Sequence, residues 1–273
     1  MQILKTSKEL LEFRQNLEGE IGFVPTMGAL HEGHKSLIKK AVLENENAIV
    51  SVFLNPKQFA PNEDLDTYPR KDEDDIKICE NLGVKAVFLP NADEFYSQDE
   101  TTIKANPRLA SMLEGATRPT HFDGVCTVLN KLFHLVRPNK AYFGKKDTQQ
   151  IFVVKNMVED FFLPIEIVPC EIVRAKDGLA LSSRNAYLKD EEFCEAIKLS
   201  RSLNKAKNLI ENGELKKENL FKEMMSCLEP IKIDYIALVN RNFEAIDVVE
   251  PGNSIILIAA YVGKTRLIDN LWI

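Results

Sequence analysis

The sequence predicts an α/β protein: a doubly wound parallel sheet over residues 1–172, followed by a smaller α+β domain over residues 173–273. Three observations carry that expectation. Fully apolar runs such as Ala-Ile-Val-Ser-Val-Phe-Leu (48–54) are what strands covered on both faces require. Such runs alternate with stretches of helical period as far as about residue 170, the rhythm of successive βαβ units. Beyond residue 172 the alternation stops, and helical stretches are followed by strand runs.

The chain opens on an amphipathic segment in which Thr6 and Glu9 have capping-box spacing, a helix start rather than a secretory leader. Strands are expected at Ile21–Val24, Ala48–Leu54, Val84–Leu89, Lys140–Phe143 and Ile165–Val168. Helices are expected near His34–Leu43, Arg70–Leu82, Asp123–Val136 and Asp147–Phe161. In a sheet of this kind ligands sit at the carboxyl ends of the strands. The second domain reads as helices at about Asp190–Asn212 and Lys216–Leu228, then strands at Ile231–Val239, Ser254–Val262 and Thr265–Trp272. The last two strands flank Gly263-Lys264, a hairpin-turn signal. Two domains with a cleft between them are expected, without internal repeats.

Composition excludes several function classes. Lys plus Arg total 35 against 41 Asp plus Glu, a net charge of −6, which argues against nucleic acid or an anionic membrane as partner. The longest apolar run, Ile255 to Val262, falls far short of the roughly 18 residues of a membrane span. Cysteines at 79, 126, 170, 194 and 227 form no Cys-x-x-Cys pair, which argues against zinc and for reduced thiols in a cytoplasm.

The sharpest motif is Pro-Thr-Met-Gly-Ala-Leu-His-Glu-Gly-His, residues 25–34, between the first apolar strand and a helix. A zinc protease would need His-Glu-x-x-His. Here His31 and His34 are three apart and Lys35 stands at the second ligand position, so that reading fails. Two readings remain, a pair of plain loop histidines or a phosphate site. For the second, Gly28 and Gly33 let backbone approach a ligand, the helix N-terminus offers N–H groups, and two imidazoles can stabilise charge on a leaving pyrophosphate. Leu-Ser-Ser-Arg-Asn (181–185), after the Lys-Asp-Gly turn at 176–178, offers two hydroxyls and a guanidinium suited to a triphosphate. By itself it would pass for a surface loop.

His-x-Gly-His after a first strand resembles the HIGH signature of the nucleotidylyltransferase and class I synthetase superfamily, and Leu-Ser-Ser-Arg resembles its shortened KMSKS-type loop. Asn-Pro-Lys-Gln-Phe (55–59), Asp-Leu-Asp-Thr-Tyr-Pro-Arg (64–70), His-Phe-Asp-Gly-Val (121–125) and Gly-Lys-Lys-Asp-Thr-Gln-Gln (144–150) complete a set that resembles the pantothenate synthetase family. The resemblance implies a Rossmann-like first domain, a second domain closing over ATP, and ATP-dependent condensation of pantoate with β-alanine through a pantoyl adenylate. It also implies Mg2+, a homodimer and a cytoplasmic setting.

The same resemblance implies the site residues. Met27, Gly28, Ala29, Leu30, His31, Glu32, Gly33 and His34 would form the first ATP segment, with His34 as proton donor. Gly144, Lys145, Lys146 and Asp147 would form the next, Lys146 on phosphate and Asp147 near ribose. Val173 would meet adenine, and Leu181, Ser182, Ser183 and Arg184 would close on ATP. Gln58 would touch pantoate and β-alanine, Asn55 would line that pocket, and Gln150 would hold pantoate. Asp74 and Asp75 would lie near magnesium, although four acidic residues at 72–75 are also what any helix start prefers. His121 and His134 read as structural, and Tyr68-Pro69-Arg70 as loop packing. The sequence departs from the family at Leu181, where Met is usual, and at Lys145, where Glu is common.

Three rivals stand beside the ligase. A nucleotidylyltransferase would share His-x-Gly-His but leave Gln58 and Gln150 without a task. A tRNA-charging synthetase would need basic surface that the composition does not offer, and an ATP-sensing module would need only one phosphate loop.

Overall fold

The computed structural model describes residues 1–61 and 63–273. These divide into two compact units, residues 1–144 with 149–171, and residues 145–148 with 172–273. Lys145–Thr148 thus groups with the second unit.

In chain order the first unit begins with β1 (Gln2–Leu4), α1 (Ser7–Gln15), β2 (Ile21–Thr26), α2 (Glu32–Glu44) and β3 (Asn47–Val52). It continues with α3 (Asp72–Asn81), β4 (Ala86–Phe88) and three short helices, α4 (Ala92–Phe95), α5 (Pro107–Ala110) and α6 (Glu114–Thr117). Then come α7 (His121–Val136), β5 (Lys140–Gly144), α8 (Thr148–Asp160) and β6 (Glu166–Cys170). The strands form one sheet in the order β1-β4-β3-β2-β5-β6, with every neighbouring pair parallel.

This is the Rossmann-like sheet, and its physical basis is plain. Every residue of β3 is buried, and Ile21, Phe23 and Val24 of β2 are fully shielded. Leu37, Ile38 and Ala41 of α2 join Val24, Val50, Val87 and Tyr142 in one apolar cluster. Thr6 caps α1 with the reciprocal Glu9 bond that the sequence signalled. The strand order reverses between β2 and β5, which makes the carboxyl end of β2 a binding position. Strand β1 was not expected, because three residues carry no readable period and only Leu4 is buried.

The second unit holds α9 (Asp190–Glu211), α10 (Lys217–Leu228), and an antiparallel sheet of β7 (Lys232–Asn240), β8 (Ser254–Val262) and β9 (Thr265–Trp272). Leu199, Leu203, Leu220 and Met224 from the helices pack with Ile256, Ile258 and Ala260 of β8. Among the described residues no helix is long and apolar enough to cross a membrane.

Candidate active site

The segment leaving β2 is held by a buried carboxylate. Gly28 and Ala29 have φ of +85° and +50°, the left-handed region, which glycine adopts freely and alanine at a cost. Asp75, only 1% exposed, takes the Ala29 N–H on Oδ2 and the Leu30 N–H on Oδ1, each at 2.8 Å. A Cβ on Gly28 would lie 3.1 Å from that carboxylate. Burial raises the Asp75 pKa, the two backbone bonds pull against it, and Asp72 and Asp74 add repulsion; the net shift is upward. Thr26 completes the turn, its hydroxyl accepting the Gly28 N–H at 3.2 Å.

The loop delivers His31 as N-cap of α2, which begins at Glu32 rather than at the expected His34. His31 Nδ1 accepts the Gly33 N–H at 3.1 Å, and His34 Nδ1 accepts the His31 N–H at 3.4 Å. The rings lie 4.1 Å apart, tilted by 39°. With both Nδ1 atoms accepting, a neutral ring carries its proton on Nε2, so each ring presents an Nε2–H donor at a helix N-terminus.

Gln58 lies at the end of a 3-10 turn, Pro56–Gln58, that follows β3. Its backbone carbonyl accepts His121 Nδ1–H at 3.0 Å and Arg118 Nη2 at 3.4 Å. Because a carbonyl only accepts, His121 carries its proton on Nδ1. Burial, with the Arg118 charge second, pushes the His121 pKa down to about 4, so the ring is neutral near pH 7. Arg118 also makes a bidentate pair with Glu63, at 2.6 and 2.7 Å. Gly124 lies so close beneath this turn that a Cβ there would come within 2.2 Å of the Lys57 carbonyl.

Asn55 is 1% exposed, and its amide is committed to protein partners. Oδ1 accepts from the Tyr96 hydroxyl at 2.7 Å and the Lys57 N–H at 3.1 Å, while Nδ2 donates to Gln58 Oε1 at 3.0 Å and Gly124 O at 3.2 Å. Through Nδ2 it holds the Gln58 side-chain oxygen. The other face of the Gln58 amide meets Met27, Nε2 lying 3.0 Å from Sδ.

The two glutamines at 149 and 150 separate cleanly. Gln149 is buried and spends its amide on Leu109 O, Met112 O and the Glu114 N–H. Gln150, one position on and half-buried, has no side-chain partner among the described residues. Asp74 is exposed on α3, whereas Asp75 faces the His31 loop. The pair does not fit a magnesium site: its two carboxylates do not share an environment, and both Asp75 oxygens serve the loop. No cluster of metal-ligating side chains occurs among the described residues.

In the second unit, Lys145–Asp147 form a 3-10 turn before α8, where the sequence had placed the helix start. Lys146 is shielded and pairs with Asp147 at 3.6 Å. The Val173 carbonyl accepts the Leu181 N–H at 3.0 Å, which ties the candidate adenine residue to the serine segment. Arg174 reaches Gly178 O at 3.1 Å and closes the turn between them. Ser182 caps a second 3-10 turn, Ser183–Tyr187, through the Arg184 N–H at 3.3 Å.

Within the first unit the structure thus joins Met27–His34 to Asp75, and Asn55 and Met27 to Gln58. Within the second it joins Val173 to Leu181–Arg184. The sequence carried no sign of the bracing roles of Asp75, Tyr96 and Arg118, whereas His121, expected to be structural, is buried against Gln58 O.

A family model described as pantoate-beta-alanine ligase matches residues 2–272. Among curated relatives, the pantothenate synthetases of Campylobacter fetus subsp. fetus and Campylobacter concisus are 65% and 62% identical, with all of both chains covered. Among solved structures, pantothenate synthetase from Thermus thermophilus is 40% identical, with a TM-score of 0.93 over 99% of each chain. The pantoate-beta-alanine ligase of Francisella tularensis, solved with beta-gamma ATP and beta-alanine, is 38% identical. Its TM-score is 0.82, over 99% of this chain and 97% of that one.

Proposed function

The chain belongs to the pantoate-β-alanine ligase family, enzymes that join pantoate to β-alanine at the expense of ATP, and from that premise we propose how its own residues divide the work. The observation that carries the proposal is the His31–His34 pair, two rings 4.1 Å apart at the N-terminus of α2, each turned by its Nδ1 bond to present Nε2–H.

Pantoate and β-alanine do not condense unaided, because a carboxylate oxygen is a poor leaving group. In the first step a pantoate carboxylate oxygen attacks the α-phosphorus of ATP, the bond to the bridging oxygen breaks, and pyrophosphate leaves. His34 Nε2–H, with His31 beside it, donates to the oxygen on which charge develops. Lys146, Ser182, Ser183 and Arg184 bind the phosphates, Asp147 the ribose and Val173 the adenine. In the second step the β-alanine amine attacks the acyl carbon, loses a proton, and AMP departs with the former carboxylate oxygen. Gln150 orients pantoate and Gln58 meets both acids, supported by the partnerless amide of one and the bracing of the other.

Positioning and charge stabilisation carry both steps. ATP would bring Mg2+ on its phosphates, as small divalent ions usually travel in such sites. Nucleotidylyl transfer, the alternative, leaves the two glutamines idle. We take the protein to be a cytoplasmic homodimer; the scattered cysteines support the compartment, and sedimentation tests the dimer. Product analysis tests the reaction: AMP and pyrophosphate appear with pantoate and β-alanine together, and an amide forms only when the amine is present. ADP and phosphate would refute it.

A further inference from the structure

The turn that carries Lys146 is gripped by the last strand of the chain. Asn270, in β9 and 2% exposed, donates through Nδ2 to the backbone oxygens of Lys145 at 2.8 Å and Lys146 at 2.9 Å. Trp272, two residues on and so on the same face of the strand, donates Nε1–H to Thr148 Oγ1 at 3.1 Å. That hydroxyl donates in turn to Lys145 O at 2.6 Å. The Lys145 ammonium lies 4.9 Å from the centre of the Trp272 ring, and the Arg241 guanidinium 4.3 Å from it.

The neighbouring residue of β9 holds the other segment. Asp269, 3% exposed, takes Arg174 in a bidentate pair at 2.6 and 2.8 Å. Arg174 is the residue that closes the turn before Leu181–Arg184. One strand therefore fastens both segments, by alternate faces.

We propose that β9 is the common mount of the two ATP segments, and that Asn270 and Trp272 are positioning residues that aim Lys146 through its backbone. A lysine on a three-residue turn gains little from its charge unless the turn is fixed. Here three hydrogen bonds from one strand fix it. This inference rests on the assignment of Lys146 to phosphate, and its test separates the two.

Asn270→Asp keeps the shape of the side chain but sets oxygens against two carbonyl oxygens. The full-length variant should raise the KM for ATP about tenfold, the scale of one or two lost hydrogen bonds, with the KM values for pantoate and β-alanine nearly unchanged. Lys146→Ala should raise the ATP KM at least as much, and adding Asn270→Asp to it should change nothing further, because coupled residues are non-additive. Trp272→Phe, which keeps the ring and removes the N–H, should show a smaller rise with the same non-additivity, and carries the cycle should Asn270→Asp fail to fold. Equal rises in all three KM values, or an effect undiminished in the Lys146→Ala background, would overturn the proposal and leave the assignment of Lys146 standing. An unchanged ATP KM in Lys146→Ala alone would overturn both.

Discussion

Asp75 and Ala29 stand as a buried carboxylate and the backbone N–H it holds, 2.8 Å apart, across 46 residues of sequence. The bond keeps a non-glycine residue at a φ of +50°, two residues before His31. Its partner bond to Leu30 N–H makes the grip bidentate, so the loop's shape depends on both oxygens.

Asp75→Asn therefore tests a loop support against a metal ligand. The amide keeps one acceptor and turns an NH2 toward a buried N–H, leaving that group unsatisfied at about 1–3 kcal/mol. Pantoate-dependent exchange of pyrophosphate into ATP should fall roughly ten- to a hundredfold. Raising Mg2+ should not restore it. Recovery at high Mg2+ would return Asp75 to the metal.

His34→Ala should lower kcat far more than it weakens ATP binding. Removing one preorganised donor of this kind costs about 10²–10³ in rate. Near-normal adenylation with poor ATP binding would make His34 a ground-state anchor only.

The proposed division of the two glutamines by substrate predicts different outcomes for their variants. Gln150→Leu should raise the pantoate KM and lower kcat, a combined loss of roughly ten- to a hundredfold in kcat/KM, with ATP affinity little changed. Gln58→Leu should affect pantoate and β-alanine alike. Weakened ATP binding of the same size in either variant would move these residues to the nucleotide site.

His121 makes a pH-dependent contribution to stability. Its pKa is near 4 in the folded chain, against 6.5 ordinarily, because burial and then Arg118 disfavour the charged ring. The unfolded chain therefore binds a proton first as pH falls. The stability is intact above about pH 6.5 and drains away toward pH 4, by at most about 3 kcal/mol. Chemical denaturation of wild type and His121→Asn across that window measures it, since asparagine can still donate to Gln58 O. Equal slopes in the two proteins would show that His121 does not contribute to the pH dependence.

The sheet was legible because β2 and β3 are apolar throughout, and the hairpin because Gly263-Lys264 separates two long runs. The motif residues were legible as a set in sequence order. What the sequence hid was bracing. Asp75 read as one of four acidic residues at a helix start, and only folding shows that it faces Ala29 while Asp74 faces water. Asn55 and Gln58 lie in one motif, yet the first is committed to Tyr96, Lys57 and Gly124, partners set by tertiary packing. Gln149 and Gln150 are chemically identical, and burial alone separates them.

In the proposed reaction the pantoate carboxylate becomes bonded to the α-phosphorus of ATP. Pantoate labelled with ¹⁸O in its carboxylate, turned over with ATP and β-alanine, tests this directly. One labelled oxygen is expected in the phosphate of the AMP released, left there when the amine displaces it from the acyl carbon. Unlabelled AMP, or label in inorganic phosphate with ADP as the nucleotide product, would contradict it.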